Sequence, residues 1–337
     1  MKAATLALGA RQIGEGQPCL VVAHVGTAHE GDADAALRLI DAAFQAGADA
    51  IAFPVFRATD LLARRHPDRK ELEAAELSAR EWRKVLGSAR ASGLTVIAEA
   101  FDVASRDLAA ESGVDAFQAH PTDLDHPELL RSLASTARPV VVGAGGGEEP
   151  LLRDALAAAG ALAALLVGPA ATPAAAEELR LAELGSLRER HRVPVGFLDP
   201  TEGGSAFALL VPSLAVAHGA DFVEKRLTLD RSRKGRDWAA ALSPEDFYRM
   251  VELLRQAERA RGDGEPRAAR AGSRGRSIVA AALIGRGDVL TAEMLRFKRT
   301  DERFDRGLAP AEAHRVIGRR ASRPIQADET IREDMLE

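Results

Sequence analysis

The chain of 337 residues contains one cysteine, Cys19, one tyrosine and two tryptophans. A single thiol excludes both an intrachain disulfide framework and a thiolate metal cluster. Lysine is also scarce: only six of the 45 basic residues are lysine, a bias we read as genome composition before any function. No polycationic tail is present, and the net charge of −5 is spread along the chain, which argues against nucleic acid as a partner. Long uncharged apolar runs are missing too. The Ala-rich stretches are broken by Gly, Pro or charge and are too short to cross a bilayer, so no membrane role is expected. The opening MKAATLALGARQIGEG has a weak apolar run but no convincing signal-peptide core, and reads as a mature cytoplasmic start.

What the sequence does have is a short β-type run followed by a longer helix-type run, eight times over. The β-type runs fall at 19–26, 48–56, 94–102, 114–121, 138–145, 161–169, 193–200 and 220–230. Several of the intervening helix-like stretches stop at a Gly just before the next strand. Eight such units in one stretch predict a closed parallel (β/α)8 TIM barrel. A doubly wound open sheet is disfavoured, because no G-x-G-x-x-G opens a helix after the first strand. The last barrel helix is expected over 243–262, with Ser243 as N-cap, Pro244 at the first position and acids in the first turn. Residues 1–262 are therefore assigned to the barrel. Residues 263–275, polar and Arg/Gly-rich, read as a linker, and 276–337 as a small module of short β-type runs. So small a module is expected to lean on the barrel or on another subunit.

This order of segments resembles the sialic acid synthase (N-acetylneuraminate synthase) family over nearly the whole chain. The family's A-E-I-G-x-N-H-x-G opening reads AHVGTAHEG here, from Ala23 to Gly31. Its E-K-H-F-T-L-D-R reads EKRLTLDR (224–231), followed by GRDW (235–238) and ALSPEDF (241–247). The C-terminal stretches RGRSIVAAALIGRGDVLTAEMLRFKR and VIGRRASRPIQADETI match the family's antifreeze-protein-like (SAF, β-clip-type) domain. The resemblance implies an aldol-type condensation of phosphoenolpyruvate with an N-acylhexosamine, assisted by a divalent metal (Mn or Mg). It also implies a domain-swapped homodimer whose C-terminal domain covers the partner's site.

Residue by residue, the site implied by the resemblance is altered. The two metal-ligating histidines fall on Pro200 and Arg226, and neither a proline ring nor a guanidinium donates to a cation. No metal cofactor is therefore expected. The strand-1 glutamate is His24 and the neighbouring asparagine Ala28. The phosphoenolpyruvate contacts fall on Ala52, Pro54, Glu99, Gln118, Pro121, Gly143 and Leu198. Phosphoenolpyruvate carries about two to three negative charges, which the family offsets with a cation and two lysines, worth several kcal/mol in such a site. Their absence, with Glu99 added, predicts loss of the family reaction at family rates.

Other family letters persist: His29, Asp102, Asp123, Asp199, Glu224, Lys225, Asp237 and Arg299. The resemblance places Glu224 and Asp237 toward the sugar and directs Arg299 to a partner's pocket. With Asp199, Asp102 and His29 these are the candidate substrate-binding residues; structural ion pairs and helix caps are the competing reading. His24, Glu99, His120 and Lys225 are the candidate catalytic residues. His24, Glu99 and His120 form a set suited to zinc or another divalent ion, against hydrogen-bonded core histidines as the alternative. Three further features are noted. The glycine run 143–148 and the loop 199–205, about five residues longer than the resemblance implies, could cradle anions. The basic segment 231–237 could recruit a phosphate, an acidic sugar or an acidic partner.

Three functions follow. The first is a non-catalytic or regulatory paralogue in nonulosonic acid or surface-glycan biosynthesis, as a homodimer or in a heteromer with a complete synthase. The second is an enzyme with new, metal-dependent chemistry on a sugar or sugar acid. The third is a residually active synthase.

Overall fold

The computed structural model describes residues 5–262, 276–300 and 307–337. The expected linker, 263–275, lies outside the described residues. The chain divides into two compact units, residues 1–264 and 265–337.

In the first unit a hairpin of β1 (Leu6–Leu8) and β2 (Arg11–Ile13) precedes eight strands: β3 (Leu20–His24), β4 (Ala50–Val55), β5 (Thr95–Ala100), β6 (Ala116–Ala119), β7 (Val140–Gly143), β8 (Ala163–Val167), β9 (Val195–Asp199) and β10 (Phe222–Arg226). All eight pair in parallel, and β10 pairs with β3 to close the barrel. The hairpin was not anticipated. Its Leu6, Leu8 and Ile13 are buried with Leu20, Val22, Ile97 and Phe222, residues that face the barrel interior. Thr95, at the start of β5, donates through its hydroxyl to the Leu8 carbonyl at 3.3 Å, which seats the hairpin at the N-terminal end of the strands.

Strand alternation explains the filling of the barrel. Every second residue points inward, and apart from Thr95 and Gly196 the lower inward positions are Leu, Val, Ile, Ala and Phe. Gly196 makes room for Phe222: a Cβ there would lie 2.3 Å from the Phe222 ring. Helices wrap the outside and begin where the sequence supplies caps. Ser78 and Glu81 form a reciprocal capping box, and Asp102 accepts from the Ser105 backbone N–H at 2.7 Å. The helix Pro244–Arg261 is capped by Ser243, as its sequence predicts.

The second unit pairs β11 (Arg276–Ala280) with β12 (Leu295–Arg299), antiparallel. Isolated bridges such as Ile284 to Ile325 and Ala321 to Leu336 tie the rest together. Ile278, Leu290, Val316, Ile325, Ile331 and Met335 are buried in a core of its own.

Candidate active site at the barrel mouth

Near the C-terminal ends of the strands, the inward positions change from apolar to polar. Going along β3, β5, β6 and β10, Val22 gives way to His24, Ile97 to Glu99, Ala116 to Gln118, and Phe222 to Glu224 and Arg226. The register sets Arg226 beside His24, and Glu99 beside Gln118. His24, Glu99, Gln118 and Glu224 are all buried, though the first two line a cavity of about 340 Å³ at the mouth.

His24 is the hub of this ring. Its Nε2 lies 3.6 Å from Glu99 Oε2 and 3.9 Å from Glu224 Oε1. Its Nδ1 accepts from the Gly26 backbone N–H at 3.1 Å and faces Arg226 Nη1 at 3.4 Å. With two donors facing Nδ1, the ring proton sits on Nε2, toward the carboxylates. Gly26 is at φ +54, and a Cβ there would meet Arg226 Nη1 at 2.8 Å, so glycine lets the guanidinium lie against the turn without strain. Arg226 also pairs with Asp237 at 3.0 Å. Gln118 donates to Glu224 Oε1 at 3.3 Å, while Glu224 Oε2 and Gln118 Oε1 are buried without a hydrogen-bond partner.

The two carboxyls respond in opposite directions. Glu224 is raised, first by burial and then by the Glu99 charge, against the pull of His24. Glu99 is lowered: burial pushes it up, but the His24 ring 3.6 Å away, with His120 and the Arg226 charge, outweighs that. His24 itself is raised, because Glu224 and Glu99 outweigh the cost of its burial.

The other wall of the cavity is apolar, formed by Pro54, Phe56, Leu61, Leu62, Leu72 and Phe101. Most of these come from the long connection after β4, which carries the short helices Ala58–Leu61 and Arg69–Ala74. The sequence reading missed this connection; its signal was the large gap between the second and third β-type runs.

The remaining candidates scatter. His120 is half-buried at the rim, tilted against Phe101 with ring centroids 5.8 Å apart, and its Nδ1 accepts from the Thr122 backbone N–H at 3.2 Å. Among the described residues, no three His, Cys, Asp or Glu side chains are grouped closely enough to hold a metal ion, so His24, Glu99 and His120 do not converge as a ligand set. Lys225 points away from the mouth. It is fully buried on the outer side of β10, 3.0 Å from Asp199 Oδ2 and 3.0 Å from the Thr201 carbonyl. Neither Lys225 nor Asp199 lines the mouth cavity. Asp102 caps a helix. His29 is buried edge-on against Trp82, and burial lowers it to about 4. Arg299 lies exposed at the end of β12.

The basic segment 231–237 is largely neutralised where it stands. Arg231 pairs with Glu202 at 2.6 Å, Arg233 with Glu30 at 2.6 Å, and Arg236 with Asp68 at 3.1 Å. Lys234 lies over the Trp238 ring at 5.6 Å. Gly146 and Gly147 of the glycine run line a second cavity of about 360 Å³, where Glu149 is held by Arg190 at 2.8 Å.

Comparison with known proteins places this architecture. The chain is 28% identical to N,N'-diacetyllegionaminic acid synthase of Legionella pneumophila, covering 96% of each protein. It is 25% identical to human N-acetylneuraminate-9-phosphate synthase, over 97% of this chain and 95% of that one. Among solved structures, the spore coat polysaccharide biosynthesis protein of Bacillus subtilis superposes with a TM-score of 0.68 at 26% identity, covering 99% of both chains. An N-acetylneuraminic acid synthetase from Leptospira borgpetersenii shares the fold at a TM-score of 0.75 and 24% identity, over 80% of this chain and 94% of that one. Residues 275–337 match the SAF domain. Residues 39–266, most of the barrel, match the model of the NeuB family, and the chain belongs to that family.

Proposed function

We propose that this protein is a repurposed member of its family that serves nonulosonic acid or surface-glycan biosynthesis without condensing phosphoenolpyruvate. The sugar-acid synthases among its relatives support the biosynthetic setting. The observation that carries the rest is Arg226. Its guanidinium stands where the resemblance puts a metal-ligating histidine, and it is engaged by Asp237 and His24. Proline at position 200 supplies no second donor. A divalent ion does not fit these residues, and no step is assigned to one. Among the described residues, the mouth cavity offers no unpaired Lys or Arg to receive the phosphate either. Lys225 is directed outward, and Arg236 is paired with Asp68 and Glu71. Losing even about 4 kcal/mol of such interactions costs on the order of a thousandfold in affinity.

An open cavity favours a repurposed site over an inert one, because Leu198 does not fill the mouth. The same reading has the chain pair with its own copy or with a complete synthase. The test incubates the protein with phosphoenolpyruvate, N-acetylmannosamine and Mn²⁺ beside a complete synthase. Phosphate release at the buffer rate is expected, and release with turnover would overturn the proposal. Co-expression with a complete synthase, followed by size measurement, tests the pairing.

A further inference from the structure

The geometry points to a metal-free proton-transfer site at the barrel mouth, in which Glu99, His24 and Glu224 act in relay on an uncharged hydroxy-carbonyl compound such as an open-chain aldose. This inference rests on the mouth being repurposed, and names the substrate class and chemistry it would then serve.

The relay is built into the barrel wall. His24 holds its Nε2 proton between two buried carboxyl groups, 3.6 Å from one and 3.9 Å from the other. Gly26 and Arg226, both at Nδ1, fix the tautomer. Here Glu224 Oε2 and Gln118 Oε1 are left buried and unpartnered beneath the cavity. The opposite drifts of the two carboxyls agree with one acting as base and the other as proton store. Distances somewhat beyond hydrogen-bonding range are expected before a ligand closes the site.

The cavity selects against charge. Arg226 is spent on Asp237, and Arg236 on Asp68, so neither cation seeks an anion. Phe56, Phe101, Leu61 and Leu72 offer an apolar wall opposite the polar ring, which suits a molecule with a C–H face and a hydroxyl edge.

The step conserves every atom. Glu99 takes the proton from the carbon next to the carbonyl, and that C–H electron pair becomes the new C=C bond. The carbonyl π pair moves to oxygen, which takes the Nε2 proton of His24, and His24 is reprotonated from Glu224. The resulting enol collapses when Glu99 returns a proton to carbon and an enol hydroxyl gives its proton through His24 to Glu224. Protonation at the same carbon gives exchange or the epimer, and, where that carbon bears a hydroxyl, protonation at its neighbour gives the ketose. No oxidant, reductant or co-reactant is required.

The test follows the C2 proton by NMR in D₂O, with full-length protein and glucose, mannose, N-acetylglucosamine and N-acetylmannosamine as probes. Loss of the C2–H signal from at least one probe, about a hundredfold faster than in buffer, is expected. Glu99→Gln should return it to the buffer rate, and His24→Asn should do the same while thermal melting shows both variants folded. If either variant fails to fold, Glu224→Gln, which keeps the side-chain shape, must slow exchange at least about tenfold. Buffer rates across all four probes, or an undiminished rate in folded Glu99→Gln, would overturn the inference. Because no phosphoenolpyruvate is present, these outcomes are read independently of phosphate release.

Discussion

Glu224, Lys225 and Arg226 are consecutive on one strand, yet they belong to two different polar clusters. Glu224 and Arg226 face inward, to His24 and the mouth cavity. Lys225 faces outward, into a dry layer where it meets Asp199 and Thr201. The outward cluster is the tighter of the two, although Asp199 Oδ2 meets Lys225 as an ion pair without hydrogen-bond geometry. Lys225 Nζ contacts Asp199 Oδ2, the Thr201 carbonyl and the Thr201 hydroxyl, while Asp199 Oδ1 accepts from the Thr201 backbone N–H at 2.9 Å. The inward cluster is looser: His24 reaches its two carboxyls only at 3.6 and 3.9 Å, and Glu224 Oε2 and Gln118 Oε1 are both unmatched. A tightly contacted polar cluster holds a fold together, and a looser one next to a cavity leaves hydrogen-bonding capacity in reserve.

The sharpest way to break this comparison is Lys225→Met. It leaves Asp199 charged, fully buried and uncompensated, and should cost about 4 kcal/mol in denaturant unfolding. Burial lowers the Lys225 ammonium and Asp199 offsets part of that, as expected of a pair whose members depend on each other. A loss below about 1 kcal/mol would show that the outward cluster is not structural.

A smaller effect comes from two histidines five residues apart. Burial holds His29 at about 4, with Asp32 pulling weakly the other way, while His24 is raised by its carboxylates. Between pH 6.5 and 4 the unfolded chain takes up a proton at position 29 that the folded chain refuses, so this contribution to stability falls as pH drops. At pH 5 it amounts to about 2 kcal/mol relative to neutral pH. His24 works in the opposite sense: its contribution is full below pH 6.5 and is lost as pH rises through its folded value. Unfolding measured at pH 7 and pH 5 should show wild type losing about 2 kcal/mol more than His29→Asn. Equal losses would remove His29 from the account.

Arg226→Ala tests the partly exposed edge of the inward cluster. Its pair with Asp237 is 20% and 31% exposed, so water screens much of it, and about 1 kcal/mol is expected. The cost should be clearly smaller than that of Lys225→Met.

The eight strands were legible because buried parallel strands read as short Val/Ile/Ala-rich runs bounded by turns. The N-terminal hairpin was not, because two three-residue strands are too short for any period to show. Within the candidate site, His24, Glu99, Glu224 and Asp237 were singled out and meet at the mouth, whereas Lys225 and Asp199 were singled out and do not. Alternation along β10 already separates Lys225 from its two neighbours, since successive side chains point to opposite faces. Residue letters carried across from a family do not encode that parity. The apolar wall was invisible for a different reason: Leu61, Leu62 and Leu72 reach the cavity through tertiary folding of a long connection with no strand of its own.

The smallest predicted change sharpens the contrast most. Glu224→Gln replaces a carboxyl that burial already pushes toward its neutral form, and the amide is nearly the same shape. The hydrogen bond from Gln118 Nε2 to Oε1 can persist on the new side-chain carbonyl. Stability should therefore stay within about 1 kcal/mol of wild type. The same acid-to-amide change outside, Asp199→Asn, leaves the Lys225 ammonium buried without a counter-charge and should cost about 3 kcal/mol. Measured together by denaturant unfolding at pH 7, the two variants ask one question of both sides of the barrel wall. If Glu224→Gln costs as much as Asp199→Asn, the inward carboxyl is a structural anion like its outward counterpart, and the mouth loses its claim to a free proton store.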